Sequence, residues 1–477
     1  MVNLSALTSL NTCLSNICTG NSDCVAFAND ASDILTYQTD WVKRYNLAID
    51  VTPEAVIRPS SAEQVAAAIQ CAADNAYKVQ ARAGGHSYAN FGYGDGQLTI
   101  DLVNFQQYSI NETTWHATIG AGMNLGDIDT KLMKTERAFA HGICPGVGIG
   151  GHATIGGLGP MSRMWGAALD HIVEVEVVTA NGTILRASED DNPDLFFGLR
   201  GAGASFGIIT GFVMRTHPAP GDVVQYSFEF TIGDDAAELA SVYKKWQDVV
   251  TDLDLDRRFG SSLILYSGGI IITGTFYGTQ DEFEASDIEQ RLPENGTLVL
   301  TDWLGSLTAL AEKEALYLSD IRTNFYSKSL GLRQEDVLTE DNATALFKYV
   351  HGLDKGTLLW FIIFDSTGGA VADIPLNATG YAHRNKVMFY QSYAIDLIEL
   401  SDTTRSFLTD FHDKLTSFLP AVATDRGTYP GYVDLNISGI PQEQYWVGNL
   451  PRLEDIKSKW DLNDVFHNPQ SVRPSTA

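Results

Sequence analysis

The chain reads as an α+β protein in two domains, and three features lead there. Its 477 residues exceed the roughly 100–200 of a single ordinary domain. Short strands and helices alternate up to His217-Pro218-Ala219-Pro220-Gly221, and longer alternating strands follow that fit one large antiparallel sheet. Glycines gather in three loops, where bare backbone can lie against a long ligand. With 44% hydrophobic and 10% aromatic residues, there is material for a packed core in each domain.

In chain order, Ala55-Val56-Ile57-Arg58-Pro59 is a strand. Ser60-Ser61-Ala62-Glu63 then caps a helix running to about Ala76, and Lys78-Val79-Gln80-Ala81 closes a β-α-β unit. Strands at Gln97–Leu102 and His116–Ile119, a helix at Leu125–Glu136 and the alternating strand Ile172–Val178 complete the first block. The second block has strands at Val223–Ile232, Ser261–Tyr266, Ile270–Tyr277, Thr357–Asp365 and Val387–Tyr393, with amphipathic helices at Asp234–Leu253 and Thr403–Leu419. Helices on a single face leave the other face of such a sheet free to wall a pocket. The longest apolar run, Leu358 to Phe364, is far shorter than the roughly 18–20 residues of a membrane span and reads as one buried strand. Residues 1–217 and 218–428 are thus two domains, with 429–477 as a tail rich in glycine and aromatic residues.

Charge removes several partners. A net charge of −27 repels phosphate backbones and anionic bilayers, so neither nucleic acid nor membrane is expected. Sequons at Asn3, Asn111, Asn181, Asn295, Asn342, Asn377 and Asn436, together with cysteine usage, point to a secreted, extracellular glycoprotein. Among five cysteines, Cys13, Cys18, Cys24 and Cys71 can make two bridges, with pairing open, and Cys144 is left over inside a glycine-rich loop. His141, His152, Asp170 and His171 lack metal-ligand spacing, and no metal is expected.

The first glycine cluster, Arg82-Ala83-Gly84-Gly85-His86-Ser87, follows a strand and can form a nest for a pyrophosphate. The second runs from Gly142 to His152. Gly146, Gly148 and Gly151 satisfy the dinucleotide expression, but Pro145 precedes them and Gly156, Gly157 and Gly159 follow, so the strand-turn-helix context of a Rossmann fold is missing. The third is Leu199–Ile209. No Walker sequence is present. One histidine and one cysteine therefore sit inside loops that touch a ligand.

Three stretches carry a resemblance: Arg82 to Tyr88, Gly142 to His152, and Leu195-Phe196-Phe197-Gly198 to Gly207. In this order they resemble the berberine-bridge-enzyme-like branch of the vanillyl-alcohol-oxidase flavoproteins, most closely its fungal oligosaccharide oxidases and dehydrogenases. The C-terminal Tyr429–Asp434, Tyr445–Leu450 and Lys459–Phe466 are similar to that family's closing motifs, so nearly the whole chain is covered. The resemblance implies FAD bound covalently through His86 to the 8α-methyl and through Cys144 to C6, which accounts for the leftover sulfur. Around these it places FAD contacts at Arg82, Ala83, Gly84, Gly85 and Ser87, at Gly142, Val147, Gly148, Ile149, Gly151 and His152, and at Gly157, Gly207 and Ile208. The 429–477 tail then belongs to the FAD-binding domain.

The same resemblance makes Tyr432 the catalytic base and Asp365 its proton partner. A tyrosine is a weak base at neutral pH and needs such a relay as it takes the proton of a sugar's anomeric hydroxyl. Hydride transfer from C1 to flavin N5 then yields a lactone, most plausibly from a β-1,4-linked cello-oligosaccharide. Tyr88, Trp360, Tyr390 and Tyr393 are candidates for a stacking platform, with Gln391 hydrogen-bonding a hydroxyl. Gly431 and Ile363 depart from relatives that carry Asn and Gln there, which puts substrate scope in question. Ile149, bulkier than the valine of the oxidases, suggests a closed oxygen pocket, hence a dehydrogenase with a quinone-like acceptor rather than O₂. A monomer is expected. The runner-up is oxidation of a small secondary-metabolite alcohol or amine in a more enclosed, apolar pocket. A non-catalytic carbohydrate-binding protein is the rival from another class.

Overall fold

The computed structural model describes residues 4–29, 34–231, 235–294, 296–313, 321–420 and 426–475. The expected sequons at Asn3 and Asn295 lie outside these.

Among the described residues, the N-terminal half carries two larger sheets and the short pair Arg137–Ala138 with His217–Pro218. The strands Ala55–Ile57, Leu98–Asp101 and Val79–Arg82 run parallel, joined by the helix Ala62–Asp74, and Val25–Phe27 adds an antiparallel edge. Ser61 caps that helix by accepting the Gln64 N–H, as its sequence predicts. The second sheet is antiparallel, in the order Tyr108–Ile110, His116–Gly120, Ile208–Arg215, Ile172–Val178, Ile184–Ser188. Disulfides Cys13–Cys71 and Cys18–Cys24 tie the N-terminal helix Leu4–Ile17 and the segment after it to this body, and Cys144 lies outside both.

Seven antiparallel strands form the third large sheet, in the order Thr297–Asp302, Asp222–Thr231, Gly269–Phe276, Phe259–Tyr266, Leu359–Ser366, Met388–Asp396, Asn324–Leu332. Helices Ala236–Val250, Glu340–Gly352 and Asp402–Ser417 cover one face and bury Tyr243, Trp246, Phe347, Phe407 and Phe411 against Leu263, Ile362, Phe364 and Tyr390. Because strand side chains alternate, Phe361, Ile363 and Asp365 point away from these helices and Trp360, Ile362 and Phe364 toward them. The apolar run therefore forms a strand that is helix-packed on one side only, and Leu358 falls outside it.

The tail returns to the N-terminal half. Tyr445, Trp446, Leu453, Ile456 and Phe466 join the same core as Ile57, Val79, Phe197 and Phe212, and Val79 bridges Phe466. The halves are joined by buried polar links. Arg163 donates to the carbonyls of Phe259, Thr367 and Leu255, and Arg384 makes a two-pronged ion pair with Asp170 at 2.7 Å. Each guanidinium has several partners, the condition under which a buried charge is tolerated. Among the described residues, no helix is long and apolar enough to cross a membrane.

Candidate active site

A cavity of about 490 Å³ opens where the glycine loops meet the uncovered face of the seven-stranded sheet, within the range typical of ligand sites. One end is built from backbone. The loops 82–87 and 146–151 press so closely that a Cβ on Gly84 would collide with the backbone of Gly148, and a Cβ on Gly148 with that of Gly84. Gly85 has φ +78°, and a side chain there would meet the Arg82 guanidinium. His86 and Cys144 line this end together, with Tyr45 against the His86 ring at 4.6 Å.

His152 lines the cavity as a neutral imidazole. Burial lowers its pKa to about 3, with the nearby His141 adding to the effect. Its Nε2 accepts the Gly142 N–H at 2.9 Å, so the proton sits on Nδ1. Arg82 borders the cavity but sends its guanidinium to Asp101 at 2.8 Å, a brace for the loop.

The other end is built from side chains. Asp365 faces the cavity, where Ser262 Oγ donates to its carboxylate at 2.6 Å and the Tyr432 hydroxyl donates as well. Burial raises the Asp365 pKa to about 6, only partly opposed by these two hydrogen bonds. Tyr432 rides on a turn in which its N–H binds the Tyr429 carbonyl, and Lys328 from the sheet reaches Asp434 of the same loop at 2.7 Å. Tyr429 is itself held by the Gly157 N–H on its hydroxyl at 2.8 Å. The Tyr429 ring occupies the space a Cβ at 431 would need.

Most of the expected site residues come together: Arg82, Ala83, Gly84, Gly85, His86, Ser87, Tyr88, Gly142, Cys144, Val147, Gly148, Gly151, His152, Gly207, Asp365, Gln391, Tyr393 and Tyr432 all line this cavity. Among the described residues, Ile149, Gly157, Ile208 and Trp360 stay outside it. Trp360 packs edge-on against Phe407 beneath the helices, because it is one residue out of phase with Asp365. Tyr390 is buried on that same face, bonding Ser392. Ile149 opens the helix Ile149–Ile155 and is fully buried in the N-terminal core, whereas Val147 lines the cavity beside Gly148, Gly150 and Gly151, so the oxygen gate assigned to Ile149 loses its basis. Ile208 is core as well, and Gly157 acts one step removed, through Tyr429.

Sequence reasoning missed Tyr45, Ser262, Phe361 and Phe389. Strand alternation from Asp365 would have found Phe361 and rejected Trp360. No local signal marks Ser262, which reaches Asp365 only through strand register.

FAD suits this arrangement: a backbone cradle in which neither Gly84 nor Gly148 admits a Cβ, an imidazole and a non-disulfide thiol at one cavity, and the hydrogen-bonded Tyr432–Asp365 pair lining the same cavity. Comparison agrees. Residues 53–188 match the FAD binding domain family, and residues 428–473 match the family described as berberine and berberine like. The FAD-linked oxidoreductase sorD of Penicillium rubens is 39% identical over 99% of this chain and 100% of its own length. The solved xylooligosaccharide oxidase from Myceliophthora thermophila C1, in complex with xylobiose, superposes with a TM-score of 0.87 at 29% identity, covering 98% of this chain and 100% of that one. The glucooligosaccharide oxidase from Acremonium strictum, whose structure concerns its 6-S-cysteinyl, 8α-N1-histidyl FAD, gives 0.85 at 30% identity with the same coverage. The chain belongs to the berberine-bridge-enzyme-like branch of the vanillyl-alcohol-oxidase family of FAD-dependent oxidoreductases.

Proposed function

We propose that this protein oxidises a carbon-bound hydroxyl, with Tyr432 as base, Asp365 as its proton partner, and FAD held covalently by His86 and Cys144. The observation that carries the reading is the Tyr432–Asp365–Ser262 chain of hydrogen bonds in the same cavity as that histidine and cysteine. Bound there, FAD supplies a two-electron acceptor for the hydride that leaves the carbinol carbon. Tyr432 takes the hydroxyl proton while passing its own to Asp365. With its pKa raised to about 6, Asp365 is a carboxylate at neutral pH yet a better proton acceptor than an ordinary aspartate. Ser262 aims that carboxylate, and Tyr88, stacked on the Tyr432 ring at 6.1 Å, limits its tilt. Cofactor contacts fall to 1–217 and 429–477, and the substrate wall to 218–428.

The oligosaccharide oxidases among the relatives support C1 oxidation of a neutral oligosaccharide, of which a β-1,4-linked cello-oligosaccharide is the first to test. A second reading, a compact apolar alcohol, is favoured by the Phe361, Ile363 and Phe389 surface over Asp365. With Ile149 in the core, the argument for a quinone-like acceptor over O₂ falls away, and recovery of the flavin in air decides between them. Two disulfides support secretion. The test is anaerobic mixing with cellobiose while flavin absorbance is followed, then admission of air. Bleaching followed by fast recovery with peroxide establishes a sugar oxidase, slow recovery restores the dehydrogenase reading, and absence of bleaching with bound flavin removes the sugar.

A further inference from the structure

The substrate wall can be read as a ladder of register pairs leading out from the reacting end: Asp365 opposite Phe389, Ile363 opposite Gln391, Phe361 opposite Tyr393, and Leu359 opposite Ile395. At about 3.3 Å per residue it is roughly 20 Å long. All but Leu359 line the cavity, and Leu359 stands at its outer end, 36% exposed. Beyond it, at the same end of the sheet, Leu397 and Ile398 are 73% and 89% exposed.

Several polar groups on this wall are engaged with one another, which leaves the Gln391 amide oxygen and the Tyr88 hydroxyl hydrogen as its hydrogen-bonding capacity. Gln391 Nε2 donates to the Tyr88 hydroxyl at 2.8 Å. The Tyr393 hydroxyl hydrogen-bonds with Tyr45 and Thr323. Ser262 and Tyr432 are committed to Asp365. An oligosaccharide reaching outward from Asp365 would stack its CH faces on Tyr88 and Tyr393. Its hydroxyls, however, would lie against Ile363, Phe361, Ile395 and Leu359, which return no hydrogen bond for those lost to water. An apolar body gains from the same wall, since every rung buries hydrocarbon.

We propose that the site selects an alcohol whose body beyond the reacting carbon is an apolar ring or chain, and that Ile363 sets this preference over a free oligosaccharide. This rests on the reading of Tyr432 and Asp365 as the alcohol-oxidising pair. Ile363 is one rung from Asp365 and directly across from Gln391, so it covers the position where the ring bearing the reacting hydroxyl must sit. Glutamine there would place a second amide beside Gln391 and turn an apolar rung into a hydrogen-bonding one.

The experiment compares binding and reduction in the holoenzyme. Dissociation constants for 4-phenylbenzyl alcohol and cellobiose are measured from flavin spectral shifts in Tyr432→Phe, where turnover is slow. The aryl alcohol is expected to bind at least tenfold more tightly, and Ile363→Gln in that background is expected to narrow the ratio at least tenfold. Cellobiose binding as tightly as the aryl alcohol, or a ratio unmoved by Ile363→Gln, overturns the proposal. The ratio in the unaltered wall decides the matter even where Ile363→Gln is not recovered folded. Anaerobic bleaching with Tyr432 present separates the two claims. If neither alcohol bleaches the flavin while the aryl alcohol binds preferentially, the oxidation reading falls and the preference stands. Fast bleaching by a tightly bound cellobiose has the opposite meaning.

Discussion

The two ends of the cavity are made by different physics. At the cofactor end the surface is backbone: Gly84 and Gly148 approach so closely that neither admits a Cβ, and specificity resides in what is absent from the side chains. At the substrate end the surface is side chain, hung at two-residue intervals on strands whose opposite face is helix-packed core. A cradle of the first kind is rigid and intolerant of change at particular positions. A wall of the second kind can be rewritten residue by residue while the sheet stays intact, as in a scaffold that keeps its cofactor and changes its substrate.

That contrast can be broken experimentally, beginning with the cradle. Gly148→Ala is expected to abolish FAD retention and lower thermal stability, because the new methyl drives into the Gly84 backbone, an overpacking worth roughly 1–3 kcal/mol or more. Gly151→Ala sharpens the point: an added Cβ there meets nothing within 4 Å, so the fold should survive while flavin content falls. Survival of full flavin content in Gly148→Ala would show that the loops yield. His86→Ala and Cys144→Ala should each leave one tether, and the double variant should release all FAD on acid precipitation; colour retained in the pellet contradicts the pair.

On the wall, Tyr432→Phe should slow flavin reduction roughly 10²-fold with little change in binding. The reduction rate should also rise with pH and level off above about 6, since Asp365 must be a carboxylate to accept the proton and burial has lifted its pKa to that value. A profile flat from pH 5 to 8 removes Asp365 from the relay. The smallest effect is expected at Ile149→Val, in the core behind the cradle. It should cost about 1 kcal/mol of stability and leave reoxidation by O₂ unchanged, whereas Val147→Ile, at the cavity itself, should slow it.

Legibility in the sequence follows the same division. The glycine loops, His86 and Cys144 are visible because a backbone surface demands glycine at fixed spacing, a constraint written locally. Cys144 stood out as the residue left over from two possible bridges, and the pairing Cys13–Cys71 and Cys18–Cys24 leaves it so. Trp360 shows the limit. An aromatic in the strand that carries Asp365 looks like a sugar platform until phase is considered, and one residue of phase moves it to the far side of the sheet. Ile149 fails similarly: Val147 and Ile149 are equivalent in the string of letters, and only the course of the loop turns one to the cavity and the other to the core.

The chain by itself determined its class through composition and strand and helix periodicity, and its cofactor through the resemblance that its glycine loops and the Tyr-Pro-Gly-Tyr segment carry, since all of these are local properties. Tertiary structure alone decided which residues face one another. Ser262 meets Asp365 across 103 positions and Gln391 meets Tyr88 across 303. Lys328 secures the Tyr432 loop from 106 residues away. Such partners are chosen by strand register and by the return of the tail into the first core, and both arise from burying many side chains at once, so no single stretch of sequence encodes them.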